Sequence, residues 1–481
     1  MALTPRLSGQ VAARAHHSPS ARLLQKIAPF FAIGQVSGGP LLLASIVALV
    51  VVNSPLGASW ARLWDAPLRI SYGSLTAGRP LAEWVNDALM PLFFLIIGTE
   101  VKREFTKGSL ASLRTAFLPV AGAAGGLIVP IAIYLAFNYG TPTQHGWGVV
   151  AAMDTAFSLA IVAMFTTRLP AAVRAVLLAF AAIDDVFGLL VIAIAYTQSL
   201  DWWYLLAAGA AYLAIVVLLR LRLVSSVAYV LLGVAVWIGV LGSGIHPTIA
   251  GVAIGLLLPT TSRLSERRFA SRVQQPVDRI RQALEAAEDA PDDALAERER
   301  DRAQSQLGYI HEMAAATDEA AERLVRILTP WVSYLVLPLF ALSNVRIHLS
   351  GELIAAAVHA PLALGIVAGL VVGKPVGFLL ATWLATVIGP ARLPEGVTWR
   401  MILGVGGVAG IGFTISLFIA ELAFGGSEGT EMAALAVLVA SLISGVFGYA
   451  VLWSAASPAD DEAEETDGKE AAGRADADGG Q

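Results

Sequence analysis

The chain contains no cysteine, which excludes disulfides, thiolate metal ligands and cysteine nucleophiles. Charge is also scarce. Asp, Glu, Lys and Arg make up 14% of the 481 residues, against 56% hydrophobic, where soluble domains carry about a quarter charged. Only five lysines are present, and Lys374 is the only one between Lys107 and Lys469. Residues 1–64 hold no acid at all. With Arg6, Arg14, Arg22, Lys26 and several serines, that stretch has the composition of a transit peptide; the plainer reading is a basic cytoplasmic tail. No short apolar region with a cleavage-like site precedes the first long apolar run, so a removed secretory signal is not expected.

Long apolar runs are what the chain does have. Twelve candidate membrane spans lie near 34–53, 81–101, 116–138, 147–166, 172–196, 203–219, 226–242, 246–259, 329–345, 357–385, 402–424 and 432–454. Bases cluster on alternate connections: Lys102, Arg103, Lys107 and Arg114, then Arg168 and Arg174, Arg220 and Arg222, Arg392 and Arg400. The opposite connections carry none, apart from Arg346 and the longer first loop with Arg62, Arg69 and Arg79. This alternation places both termini in the cytoplasm of a multi-pass cell-membrane protein. The expected organisation is a polar tail (1–30), spans 1–8 (31–259), a charged cytoplasmic insert (260–328), spans 9–12 (329–456) and a disordered acidic tail (457–481). The insert reads as a solvated helical hairpin laced with i,i+4 charge pairs. Insert and tail account for the formal charge of −5; without them the chain has 19 bases and 14 acids.

Few charges remain inside the spans: Asp87, Asp154, Asp184, Asp185 and Lys374, with Glu100, Glu104, His246 and Glu421 near span ends. Asp184 and Asp185 sit side by side in the middle of span 5. Each unpaired charge at that depth costs roughly 2.5–3.5 kcal/mol on insertion scales, so a cation, a proton or a base must compensate. Lys374 needs a carboxylate partner or must lose its proton. Adjacent helical residues diverge by about 100°, so one aspartate can pair with Lys374 while the other faces a water-filled cavity. Lys374 could also snorkel, but Pro375 and the glycines around it suggest close packing. Asp154 alone reads as a buried aspartate capping a broken helix. In span 11, five glycines between Gly404 and Gly412 argue for an interrupted helix whose ends attract ions; close helix packing by small residues competes with that reading.

Seven segments in order resemble the NhaA family of bacterial sodium/proton antiporters: Asn86 to Glu104, Asp154-Thr-Ala-Phe157, Ile183-Asp-Asp185, Ser243-Gly-Ile-His246, Pro330 to Phe340, Gly373-Lys-Pro375 and Gly410 to Ala420. The resemblance implies an all-α membrane fold of about twelve helices, with inverted repeats in spans 3–5 and 10–12 and two interrupted, crossing helices, spans 4 and 11. It implies that Asp185 is the main carrier of cation and proton, that Asp184 can pair with Lys374, and that Asp154 offsets helix-terminus dipoles at the crossing. Glu100, Glu104 and His246 match positions linked to pH response, and Asp87 matches a carboxylate of the second span, grouped here with them. Two departures bear on the ligand set. Met153 and Val150 stand where the family often has Thr and Pro, and a thioether is a poor ligand for sodium.

The expected activity is electrogenic, pH-regulated exchange of cytoplasmic sodium or lithium for external protons, the two competing for paired aspartates. No resident cofactor, covalent chemistry or nucleic-acid partner is expected; the partners are the bilayer and the transported ions, and a homodimer is compatible. An intramembrane aspartyl protease fails because adjacent aspartates on one helix cannot form a facing dyad. A proton-coupled solute symporter would want more polar and aromatic groups within the spans. A purely structural membrane protein does not need buried charges.

Overall fold

A computed structural model describes residues 38–456, apart from 73–74, 166–167, 198–199, 222–225, 261–265, 318, 390 and 426. Both expected tails, 1–30 and 457–481, and the start of the first expected span therefore lie outside the described residues. The described residues are mostly helical. The helices are α1 (Gly38–Val52), α2 (Gly57–Asp65), α3 (Leu81–Lys107), α4 (Leu113–Asn138), α5 (Thr155–Ala163), α6 (Ala171–Ala195), α7 (Trp202–Arg220), α8 (Ser226–Gly242) and α9 (Thr248–Leu257). After these come α10 (Glu266–Glu288), α11 (Asp293–Thr317), α12 (Ala320–Asn344), α13 (Gly351–His359), α14 (Pro361–Val387), α15 (Trp399–Ala409), α16 (Phe413–Phe424) and α17 (Glu428–Ala455). A 3-10 segment, Gln144–Val150, precedes α5. Among the described residues, eight helical segments are long and apolar enough to cross a membrane, and ten if each bent pair counts as one. The bent pairs are α1–α2, turned by 116°, and α15–α16, turned by 43°.

The first loop holds a feature the sequence reading treats only as loop. Strands β1 (Pro67–Tyr72) and β2 (Leu75–Pro80) pair antiparallel, with Pro67 opposite Pro80 and Arg69 opposite Gly78. Leu68, Ile70 and Tyr72 alternate with Arg69 and Ser71, a period-2 pattern, and prolines close the two open ends. Trp84 donates to the Leu68 carbonyl, tying the hairpin to the start of α3.

Three helices contain a single π-helical turn: Val85–Leu89 in α3, Val332–Val336 in α12 and Gly369–Gly373 in α14. Each is followed, one residue later, by a proline: Pro91, Pro338 and Pro375. Proline removes a backbone donor and its ring crowds the carbonyl four residues back. The extra residue of a π turn relieves that clash inside a continuous helix. Lys374 sits between the third π turn and its proline.

Most helices share one core, from Leu41 through Phe180, Phe378 and Phe418 to Leu452. Helices α4 and α14 pack along one seam where Gly125 and Gly377 face each other, and a side chain at either would strike the other's carbonyl. Helices α7, α8 and α9 form a second cluster around Ala208, Ile215, Val236 and Ala250. Helix α9 has only ten residues, roughly 15 Å of rise, half of a hydrocarbon core. It compensates by lying directly on α3, where Gly98 meets the Val252 backbone and Gly255 the Leu95 carbonyl. Helices α10 and α11 pack on one another as a hairpin, burying Ala283, Ala287, Ala303 and Met313 between otherwise exposed polar faces.

Candidate functional site

The site begins with two interruptions. Between Val150 and Thr155 the chain leaves helical hydrogen bonding, and it does so again between Ala409 and Phe413. Free backbone groups buried at such depth must find partners, and here the two gaps supply each other. The Asp154 N–H donates to the Ile411 carbonyl at 2.6 Å. Ser158 Oγ donates to the Val408 carbonyl, and Ser416 Oγ to the Val149 carbonyl.

Asp154 caps both half-helices that start at the gaps. Its Oδ1 accepts from the N–H groups of Ala156 and Phe157 in the first turn of α5. Its Oδ2 accepts from the N–H of Thr414 at 3.0 Å and from Thr414 Oγ1 at 2.6 Å, in the first turn of α16. The positive ends of two helix dipoles thus meet one carboxylate. The glycines of span 11 serve both uses weighed above. Gly404 and Gly407 stay helical and press α15 against Leu452 and Gly448 of α17, while Gly410 and Gly412 lie in the gap.

Asp184 and Asp185 lie at the middle of α6, both buried. Asp184 is fully committed. Lys374 Nζ donates to its Oδ1 at 2.7 Å, with both side chains wholly inaccessible, and the Met153 N–H donates to its Oδ2 at 2.8 Å. Lys374 also donates to the Ala151 carbonyl at 2.7 Å. The lysine is therefore a buried, packed group and does not snorkel. Gly126 leaves room for Phe180 beside its stem, and Gly373 and Gly377 bring α14 onto α4.

Asp185 is the opposite case. Its Oδ2 receives one long hydrogen bond, 3.4 Å from Thr155 Oγ1. Its Oδ1 is buried and has no partner among the described residues. The charges of Asp184, Glu100 and Asp154 all lie close enough to repel a charge on Asp185. A buried carboxylate oxygen left unsatisfied among like charges is a place for a proton or a cation.

The remaining candidates fall at the two ends of α3. Asp87 sits in the π turn at one end. Its Oδ2 pairs with Arg79 of β2 at 2.7 Å, and its Oδ1 lies 3.7 Å from His246 Nε2. His246 precedes α9, bonds Thr248 through Nδ1 and packs edge-on against Phe418. Glu100 and Glu104 are at the other end, 13 and 17 residues on from Asp87, roughly 20–25 Å along the axis. Nearby, Lys107 pairs with Glu319 just before α12, and Lys102 donates to the Leu256 carbonyl. Two separate clusters result. Glu421, noted near a span end, lies in α16 within the electrostatic reach of Arg346.

The sequence reading did not single out Thr155, Thr414, Ser158 or Ser416. Each is a hydroxyl residue within four positions after a gap, where an N-terminal turn exposes donors, and that spacing was the available signal. Nor did it anticipate that Met153 contributes through its backbone N–H, which any residue but proline supplies.

A polytopic helical membrane protein with a buried lysine, three buried carboxylates and two half-helix N-termini at one point has the build of a secondary transporter. The model of the family described as Na+/H+ antiporter 1 matches residues 28–452, and the chain belongs to this, the NhaA family. It is 41% identical over 434 residues to Na(+)/H(+) antiporter NhaA 2 of Sorangium cellulosum, covering 89% of this chain and 90% of that one. It is 38% identical over 437 residues to the NhaA antiporter of Oleidesulfovibrio alaskensis (90% and 95%). To the NhaA antiporter of Escherichia coli O139:H28 it is 39% identical over 430 residues (88% and 96%).

Proposed function

We propose that this protein exchanges cytoplasmic sodium, or lithium, for external protons across a bacterial cell membrane, electrogenically. The observation that carries this reading is the unpartnered Oδ1 of Asp185 beside the saturated Asp184–Lys374 pair. Sodium takes oxygen ligands, and Asp185, the Thr155 hydroxyl and backbone carbonyls of the gap are the oxygens at hand. A proton on Asp185 neutralises the same charge. Either load lets the core switch access, and the bare carboxylate resists it, so exchange follows without covalent chemistry. If sodium draws Asp184 away from Lys374, the lysine releases its proton, more than one proton moves per sodium, and the cycle carries net charge.

The architecture that goes with this reading has twelve spans, both termini inside, and inverted repeats in spans 3–5 and 10–12. The short helices α8 and α9 count as spans 7 and 8, and the gapped helices of spans 4 and 11 cross at Asp154. Regulation by pH belongs to the Glu100–Glu104 end of α3, at the cytoplasmic mouth. The test is collapse of an imposed pH gradient by added sodium in vesicles carrying only this protein. No sodium-dependent collapse across a range of pH would overturn the proposal.

A further inference from the structure

A cavity of about 390 Å³ opens between the first turns of α4, the first third of α6 and the connection after α14. It lies away from the aspartates. Its walls are apolar, including Pro119, Ala175, Ala179 and Ala391, with Thr115 and Arg392 as the polar members. No Asp or Glu lines it. Among the described residues, neither Arg392 nor the exposed Arg174, next in the chain to the wall residue Ala175, has an ion-pair or hydrogen-bond partner. Glu395, three residues on, makes no ion pair with Arg392. On the orientation proposed above, on which this inference rests, all three wall segments lie at the cytoplasmic ends of their spans, beside the basic connections.

We infer that this cleft holds an anionic phospholipid, with an acyl chain along the alanine wall and the phosphate on Arg392. The volume falls within the roughly 300–1,000 Å³ of specific small-ligand sites. An apolar slot facing hydrocarbon selects a chain. An unpaired guanidinium at its mouth selects the headgroup, because arginine binds phosphate bidentately and cytoplasmic-side bases attract anionic lipid. A soluble anion would leave the slot empty, and a zwitterionic lipid would bring its own cation to a mouth that already holds Arg392 and Arg174. The wall residue Ala179 is five positions before Asp184, about 7.5 Å along the same helix. A lipid seated here thus wedges the helix that carries the aspartates against α4 and the connection after α14.

The experiment uses the full-length protein in neutral detergent, with phosphatidylglycerol and phosphatidylcholine of identical chains. Native mass spectrometry counts bound lipid, and thermal unfolding is followed in parallel. Wild type should retain phosphatidylglycerol about tenfold over phosphatidylcholine and gain melting temperature from it alone. Arg392→Ala and, separately, Ala175→Phe should lose that preference and that gain, and Arg392→Lys should recover part of both. Equal retention of the two lipids, or an undiminished preference in Arg392→Ala, would overturn the site. So would a preference that appears only after deletion of residues 459–481, since the acidic tail would then be the occupant.

Discussion

Asp184 and Asp185 are neighbours with opposite circumstances, and the difference decides what each substitution does. Asp185→Asn removes a carboxylate that, among the described residues, holds only one long hydrogen bond, from Thr155. It should abolish sodium-driven proton movement while leaving a folded, membrane-inserted protein with an undiminished melting temperature. Undiminished exchange in that variant would remove Asp185 from the carrier role. Lys374→Ala instead strips one partner from a buried pair, a loss of roughly 3–5 kcal/mol, and should lower the melting temperature sharply. Adding Asp184→Asn removes the stranded charge and should recover part of the loss, because an amide oxygen still accepts from the Met153 N–H. Strictly additive losses in the double variant would mean that the two side chains do not interact in solution. That adjacent helical aspartates must diverge was legible in the sequence from periodicity alone. Periodicity did not say which of them meets Lys374, because that depends on how α14 is turned about its own axis, which packing sets; only the family resemblance pointed to Asp184, the partner observed.

At the level of elements, the apolar helices were legible because hydropathy and proline and glycine punctuation are local; eight to ten of the twelve expected spans are long and apolar enough to cross a membrane among the described residues. The gaps in spans 4 and 11 were legible as glycine excess and as a lone aspartate. Their contact was not, since Asp154 and Thr414 share no local signal. The β1–β2 hairpin was missed because its alternating pattern is short and embedded in a charged loop. The separation of Asp87 and His246 from Glu100 and Glu104 yields a test of pH response. Glu104→Gln should shift the pH profile of sodium-driven exchange clearly, and His246→Ala should shift it less. A profile that moves only with His246→Ala would put regulation at the Asp87 end. The α4–α14 seam makes a structural prediction: Gly377→Leu drives a side chain into the Gly125 carbonyl and should sharply reduce the yield of folded protein. Gly351→Leu, at a position with open space around it, should not.

For the whole molecule, the expectation is a transport core that works without its appendages. The family match ends at residue 452, and α10 and α11 pack chiefly on each other. Deleting residues 459–481 should leave exchange rates and the activating pH unchanged within error; a large shift in activating pH would make the tail regulatory. The central polar contacts have another side when viewed along the chain. Lys374 follows Asp184 by 190 residues, and Thr414 follows Asp154 by 260. Synthesis at about 5–20 residues per second puts roughly 10–50 s between each carboxylate and its partner. For that interval the nascent protein holds naked acids in lipid, sheltered only by protonation or by the insertion machinery. Birth order thus becomes a quality check: chains that stop before residue 374 never neutralise their centre, and pulse–chase labelling should find them degraded well ahead of full-length protein.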